Sequence, residues 1–226
     1  MFWDYELSAL FAKAGLTRWP LLICSIFGLA IILERSIYFL KIRFNLSKFT
    51  QKLFEFLNKN QFNNALELTQ KSIHPASLIA GIYLNNLQNK YRENVLSREG
   101  SLAMERVEQR LRGLAVITHV APLLGLLGTV AGLVAAFHEI ELLNGYVQPG
   151  NLAGGIWEAL LSTVFGLIVA IPCMVAFHLF EAWADQVARY MQAVVSQLDE
   201  YFGNQATYPF KVSAPSIDID EINAAQ

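Results

Sequence analysis

The sequence has little charge and few cysteines. Charged residues make up 16% of its 226 residues, below the usual share of about 25%, whereas hydrophobic residues make up 54%. The net charge of −2 gives no reason to expect a nucleic-acid partner. Cys24 and Cys173 lie far apart inside apolar runs, without Cys-x-x-Cys or Cys/His spacing. They therefore predict neither a metal site nor a disulfide framework.

The chain also lacks a pattern typical of enzymes. No set of His, Asp, Cys and Ser residues has catalytic spacing, and no glycine-rich phosphate-binding loop follows a predicted strand. Gly125, Gly128 and Gly132 lie inside a long apolar segment instead. We therefore predict that the protein is not an enzyme and uses no cofactor.

What the sequence does contain is three long apolar segments between clusters of charge. We predict transmembrane helices at 19–40, 113–138 and 154–180. The second has 26 residues without Asp, Glu, Lys or Arg. At 1.5 Å per residue it reaches roughly 39 Å, more than the ~30 Å hydrocarbon core of a bilayer. The predicted fold class is therefore all-α, a polytopic membrane protein with three transmembrane helices.

A signal peptide is the alternative interpretation of the first apolar segment. Such a peptide has a basic start and small residues at a cleavage site. Here the start carries Asp4 and Glu6, and the apolar core is followed by Glu34-Arg35 and by large residues such as Tyr38. We interpret the segment as a retained membrane anchor.

Residues 41–112 form a polar block between the first and second spans. We predict a domain of four helices here, in which His74-Pro75 breaks the chain before a third helix over 76–90. No residue pattern stops the fourth helix before Gly113, so we expect that helix to run directly into the second span.

The remaining segments complete the predicted organisation. Asn144-Gly145 and Pro149-Gly150 are turn signals, and Pro172 predicts a kink in the third span. The segments outside the spans are an N-terminal segment at 1–18, a loop at 139–153, an amphipathic helix at 181–202 and a mobile tail at 203–226.

The distribution of basic residues predicts an orientation. The block at 41–112 holds 12 of the 17 Lys and Arg residues, and the loop at 139–153 holds none. By the positive-inside rule, this block and the C-terminus lie in the cytoplasm, whereas the N-terminus and the loop lie outside. Long helices are then expected to extend from the membrane into the cytoplasm.

Two of the predicted spans carry a stripe of small residues. Successive members lie three or four residues apart, so each stripe follows one helix face and permits close helix contact. The stripes are Ala121, Gly125, Gly128, Gly132 and Ala135 in the second span, and Gly155, Ala159, Ser162, Gly166, Ala170 and Cys173 in the third. Packing within one subunit explains one stripe, whereas two stripes beside polar residues favour a surface between subunits or along a pore.

The second and third spans also contain polar residues. A Ser or Thr hydroxyl usually bonds back to its own helix, and His119 suits a structural or interfacial role. A carboxylate inside a membrane costs ~2.5–3.5 kcal/mol and usually faces a cavity, a partner or an ion path. Glu158 also lies only five residues into its span, so an anchor at the outer interface is the alternative. The polar set is Thr118, His119, Thr129, Glu158, Ser162 and Thr163.

The segments APLLGLLGTVAGLVAAF (121–137) and GGIWEALLSTVFGLIVAIP (154–172) resemble the ExbB/TolQ/MotA family of ion-driven motor subunits. They are most similar to the ExbB/TolQ branch, and the lack of a larger cytoplasmic region argues against MotA proper. The resemblance implies a pentameric ring in the bacterial inner membrane. Its second and third helices surround the single transmembrane helices of an ExbD- or TolR-like partner. It also implies that Glu158, Thr129 and Thr163 line the pore.

The function implied by this resemblance is the conversion of proton flow into mechanical work. An ExbB-like subunit energises TonB-dependent transport across the outer membrane through a TonB-like protein. A TolQ-like subunit for envelope integrity, acting through a TolA-like protein, and a gliding-type motor stator are the alternatives. A passive membrane scaffold, which would transport no ion, is a hypothesis of a different functional class, but it assigns no function to Glu158. Membrane lipids are expected as further partners.

Overall fold

The computed structural model describes residues 17–43, 45–142 and 149–205. All regular elements in these ranges are α-helices, which confirms the all-α prediction for this part of the chain. The helices here are α1 (Arg18–Lys41), α2 (Leu46–Asn58), α3 (Phe62–Lys71), α4 (Pro75–Asn85), α5 (Arg92–Glu108), α6 (Leu111–Leu142) and α7 (Pro149–Gln205). Predictions for residues 1–16, for Asn144-Gly145 and for residues 206–226 lie outside the described residues.

Three of these helices, α1, α6 and α7, contain stretches long and apolar enough to cross a membrane. They coincide with the three apolar segments that the sequence predicts as spans. α1 begins and ends within one residue of the predicted bounds, whereas α6 and α7 extend well beyond theirs.

α7 joins segments that the sequence predicts as separate. Its 57 residues include the end of the predicted loop, the third span, the amphipathic helix and the first residues of the predicted tail. Pro149 begins the helix rather than a turn, because proline at the first helical position breaks no intrahelical hydrogen bond. Pro172 lies inside the helix without ending it. α6 likewise continues to Leu142, so the predicted loop is helical at both of its ends.

The predicted continuous helix into the second span is wrong. α5 ends at Glu108, and α6 begins at Leu111. Arg35 of α1 contacts this break, where its Nη1 donates a hydrogen bond of 2.9 Å to the carbonyl oxygen of Val107. The last four carbonyls of a helix have no partner within it, so Arg35 satisfies a group that α5 leaves free. The Arg35 side chain is buried, and its Nε pairs with Glu34 at 2.9 Å.

α4 starts where the sequence predicts a break but ends early. The Nδ1 atom of His74 accepts a hydrogen bond of 3.0 Å from the backbone N–H of Ala76, which caps the helix start. Burial lowers the pKa of His74 to about 4, so its ring is neutral at neutral pH. The helix ends at Asn85 because the Asn86 side chain donates 2.9 Å to the carbonyl of Ile82.

α2 to α5 pack against the C-terminal part of α7 around large apolar side chains, and we call this unit the helical domain. Its most deeply buried large side chains are Leu53, Ile79, Tyr83 and Leu198. The Tyr83 hydroxyl donates 2.7 Å to Asp199, and the Arg92 guanidinium reaches the same carboxylate at 3.2 Å. A second core cluster joins α1 and the end of α5 to α6 and α7.

Candidate functional site

The backbones of α6 and α7 touch where glycines face each other, and we call this contact the α6/α7 seam. A Cβ atom added to Gly166 would lie 2.8 Å from the carbonyl oxygen of Ala121 and 3.0 Å from the Cα of Gly125. Contacts under 3.0 Å are essentially absent between real Cβ atoms and their neighbours. The seam therefore leaves no room for a side chain at Gly166.

The other small residues predicted for helix packing also lie in the seam. A Cβ on Gly132 would lie 3.0 Å from the Cβ of Ala159, and one on Gly155 would lie 2.7 Å from the Cβ of Ala136. Ala135, which belongs to the predicted stripe, is exposed, and Ala136 replaces it in the contact. At this end of the seam, the contact is therefore made by the residue that follows the predicted one.

Three hydroxyl groups and two backbone carbonyls form a polar cluster in the seam, which we call the hydroxyl cluster. The Ser162 hydroxyl lies 3.0 Å from the carbonyl of Gly125 and 2.7 Å from that of Ala159. The Thr129 hydroxyl lies 3.0 Å from the Ala159 carbonyl and shares a hydrogen bond with the Thr163 hydroxyl. Ser162 is buried, whereas both threonines are half-buried, so the cluster is accessible from one side.

Glu158 is separate from the hydroxyl cluster within one chain. It is exposed, and it makes no hydrogen bond or ion pair with another residue of the described ranges. Five residues separate it from Thr163, which rotates the two side chains by about 140° around an α-helix. Glu158 is nevertheless the neighbour of Ala159, whose carbonyl belongs to the cluster.

Of the three polar residues that the resemblance does not assign to the pore, Ser162 belongs to the cluster, whereas Thr118 and His119 do not. Thr118 is buried and donates 2.6 Å to the carbonyl of Ala115, one turn earlier in its own helix. His119 is exposed. Within the described ranges, no group of three or more His, Cys, Asp and Glu side chains is arranged to hold a metal ion.

A family model described as the MotA/TolQ/ExbB proton channel family matches residues 60–193. The chain belongs to this family. Biopolymer transport protein exbB1 of Vibrio cholerae serotype O1 is 30% identical over 191 residues, which cover 80% of this chain and 82% of that protein. Putative biopolymer transport protein ExbB-like 1 of Synechocystis is 27% identical over 84% of this chain and 76% of its own. Tol-Pal system protein TolQ of Pseudomonas aeruginosa is 34% identical over 38% of this chain and 37% of its own.

The match to the MotA/TolQ/ExbB family includes the entire seam but not α1. Residues 60–193 contain the hydroxyl cluster and Glu158, whereas Arg35 lies before them. The sequence indicates Arg35 only as a charge near the end of an apolar segment. Its contact with Val107 joins residues 72 positions apart, so no local pattern could have predicted it.

The contacts of α1 show how far along α7 Glu158 lies relative to the start of α1. A Cβ on Gly128 would lie 2.5 Å from the Thr17 hydroxyl and 2.6 Å from the Ser162 hydroxyl, so the start of α1 is level with Ser162. Glu158 lies four residues before Ser162 on α7, about 6 Å further toward the 143–148 connection. It is therefore beyond the start of α1 rather than midway along that helix.

Proposed function

We propose that this chain is an ExbB-like subunit of a motor in the bacterial inner membrane that is driven by the proton-motive force. Five copies form a ring around the single transmembrane helices of an ExbD-like protein. Proton flow through the ring energises TonB-dependent transport across the outer membrane through a TonB-like protein. The chain is oriented with its N-terminus outside and its helical domain in the cytoplasm, because the basic residues concentrate in that domain.

The observation that carries this proposal is the exposed carboxyl of Glu158, which lies on an apolar helix and has no hydrogen-bond or ion-pair partner among the residues that the structure describes. A charged side chain facing lipid is costly, at ~2.5–3.5 kcal/mol on insertion scales. A ring removes this cost, because a second subunit or an inserted partner helix covers the exposed face and supplies polar neighbours. The position of Glu158 beyond the start of α1 suits the outer mouth of the ion path.

The hydroxyl cluster supplies the polar part of the path deeper in the membrane. Thr129 and Thr163 are half-buried, and each retains a side that faces away from the seam. Because the two hydroxyls are held by backbone carbonyls, they present fixed dipoles to a carboxyl on a partner helix. Fixed dipoles in a medium of low dielectric stabilise a chosen protonation state more strongly than mobile water does.

A TolQ-like role in envelope integrity is the second candidate. The similarity to Tol-Pal system protein TolQ covers 87 residues, whereas the similarity to exbB1 covers 191. The longer similarity favours the ExbB-like role. Complementation distinguishes the two, because the chain is expected to restore iron–siderophore uptake to a strain without ExbB and not detergent resistance to a strain without TolQ.

The decisive experiment replaces Glu158 by Gln, which keeps the shape of the side chain and removes its charge. We expect the Glu158→Gln variant to assemble normally and to lose energy-dependent siderophore uptake. Glu141→Gln is the matched control, because Glu141 is an exposed carboxylate at the end of α6. Normal uptake by the Glu158→Gln variant would favour a passive scaffold and overturn the proposal.

A further inference from the structure

A cavity of about 420 Å³ opens between the end of α1, the start of α4 and the middle of α7. It is separate from the seam and from Glu158. Its walls combine apolar, aromatic and basic side chains. The residues that matter here are Phe39, Leu40, Ile42, Arg43, Trp183 and Tyr190.

The cavity lies where α1 leaves the apolar layer. The apolar segment of α1 from Trp19 to Leu40 has 22 residues and is roughly 33 Å long, about the thickness of a hydrocarbon core. Lys41 and Arg43 follow directly. Trp and Tyr side chains, like those of Trp183 and Tyr190 here, are enriched at the depth of lipid headgroups.

The floor of the cavity is a packed aromatic group. The rings of Phe39 and Phe180 stack with centroids 5.6 Å apart and planes 12° apart. Trp183 packs against both, at 5.4 Å from Phe39 and 5.7 Å from Phe180. These ring contacts pack the end of α1 against one turn of α7 beneath the cavity.

The charge of this cavity is positive. Arg43 lines the cavity, is exposed and makes no ion pair with another residue of the described ranges, and the exposed Lys41 lies two residues before it without lining the cavity. No Asp or Glu is among the described residues that line it. The neighbouring cavity between α6 and α7 differs, because there Arg112 lies beside Glu108, Glu181 and Asp185. His74, also on the wall, contributes no charge at neutral pH, since burial lowers its pKa to about 4.

We propose that this cavity binds an anionic phospholipid of the cytoplasmic leaflet, with the headgroup phosphate at Arg43. The acyl chain follows the exposed apolar face of α1, which continues from Leu40 through Ile37 to Leu33. Basic pockets at the cytoplasmic ends of membrane helices suit such headgroups. The leaflet rests on the proposed orientation, whereas the site itself depends only on the described contacts.

The test measures lipid binding directly by native mass spectrometry of the full-length protein, purified in detergent and titrated with phosphatidylglycerol or phosphatidylcholine. We expect phosphatidylglycerol to bind preferentially and the Arg43→Gln variant to bind it roughly fivefold more weakly, as loss of one basic residue at a membrane surface predicts. Arg112→Gln is the matched control, because Arg112 occupies the same membrane face beside carboxylates, and we expect it to retain wild-type affinity.

Three outcomes would overturn the lipid site. These are equal binding of the two lipids, unchanged binding by the Arg43→Gln variant, and displacement of the lipid by inorganic phosphate, which would assign the cavity to a free anion. Arg43 is exposed, so its replacement does not threaten folding. The readout is independent of transport, and the Glu158→Gln variant is expected to bind lipid normally, so the two proposals can fail separately.

Discussion

The α6/α7 seam and the helical domain are held together in opposite ways. In the seam the contacts are mainly between backbones, since Gly125 and Gly166 have no side-chain carbon and Ala159 has only a methyl group. In the helical domain the contacts are between large side chains, such as Leu53 and Tyr83, which are 0% exposed. Both regions include α7, so a single helix takes part in both kinds of packing.

The difference follows from the surroundings of each region. In water, burying a large apolar side chain removes apolar surface from solvent and stabilises the fold by roughly 1.5–3 kcal/mol. Between membrane helices this gain is absent, because lipid is as apolar as leucine, and close van der Waals contact and hydrogen bonds must hold the helices. The helical domain should therefore be most sensitive to the loss of side-chain volume, and the seam to its gain.

Shrinking a side chain should have its largest effect in the helical domain. Leu53 is 0% exposed in the core formed with α7, so we expect the Leu53→Ala variant to lose roughly 2–5 kcal/mol of stability. The measurement is thermal unfolding of the full-length protein in nanodiscs by differential scanning calorimetry. Leu102→Ala is the matched control, because Leu102 is 42% exposed on α5. Equal shifts for the two variants would contradict the proposed origin of this stability.

Enlarging a side chain in the seam should have the next largest effect. We expect the Gly166→Val variant to lose about 1–3 kcal/mol, because the new atoms meet the backbone of α6 and the helices must separate. Gly154→Val on the same helix is the control, since a Cβ there meets nothing within 4 Å. Unfolding in nanodiscs measures both variants, and an undisturbed Gly166→Val variant would show that the seam is not closely packed.

Features determined by local spacing could be predicted from the sequence. The small-residue stripes predict close helix contact because a helix repeats its faces every three or four residues. The favoured interpretation of them as a surface between subunits or along a pore is wrong for the residues of the seam, because the two stripes pack against each other within one chain. The same arithmetic shows that Glu158 and Thr163, five residues apart, face different directions. The family motif alone does not reveal that the two side chains point in different directions. The close-packing faces and the separation of Glu158 from the hydroxyls were therefore predictable, whereas the packing of the two faces against each other within one chain was not.

Features that depend on distant contacts could not be predicted in this way. The break between α5 and α6 is stabilised by Arg35, which is 72 residues from Val107 in sequence. The Tyr83–Asp199 hydrogen bond joins residues 116 positions apart. The sequence also did not predict that α7 is continuous, because the helix passes Phe180 and continues to Gln205 without a residue that ends it. Such contacts require the three-dimensional arrangement of the helices.

The smallest expected effect on stability separates structure from function in the hydroxyl cluster. Val replaces Thr at nearly constant volume, so the Thr129→Val variant loses the hydrogen bonds of the hydroxyl to Ala159 and Thr163 across the seam and to Gly125 in its own helix, and little else. Hydrogen bonds between membrane helices contribute about 0.6 kcal/mol on average, and we expect a loss of that size. If the Thr129 hydroxyl lies on the ion path, uptake should fall far more than this small loss explains.

Thr118→Val is the matched control for this last prediction, because the Thr118 hydroxyl bonds only to the carbonyl of Ala115 in its own helix. We expect that variant to keep both its stability and its siderophore uptake. Calorimetry in nanodiscs and uptake in cells, measured on the same pair of variants, give the comparison. Full uptake by the Thr129→Val variant would show that the Thr129 hydroxyl contributes only to helix packing in the seam. Glu158 would then remain as the proposed group that binds the ion.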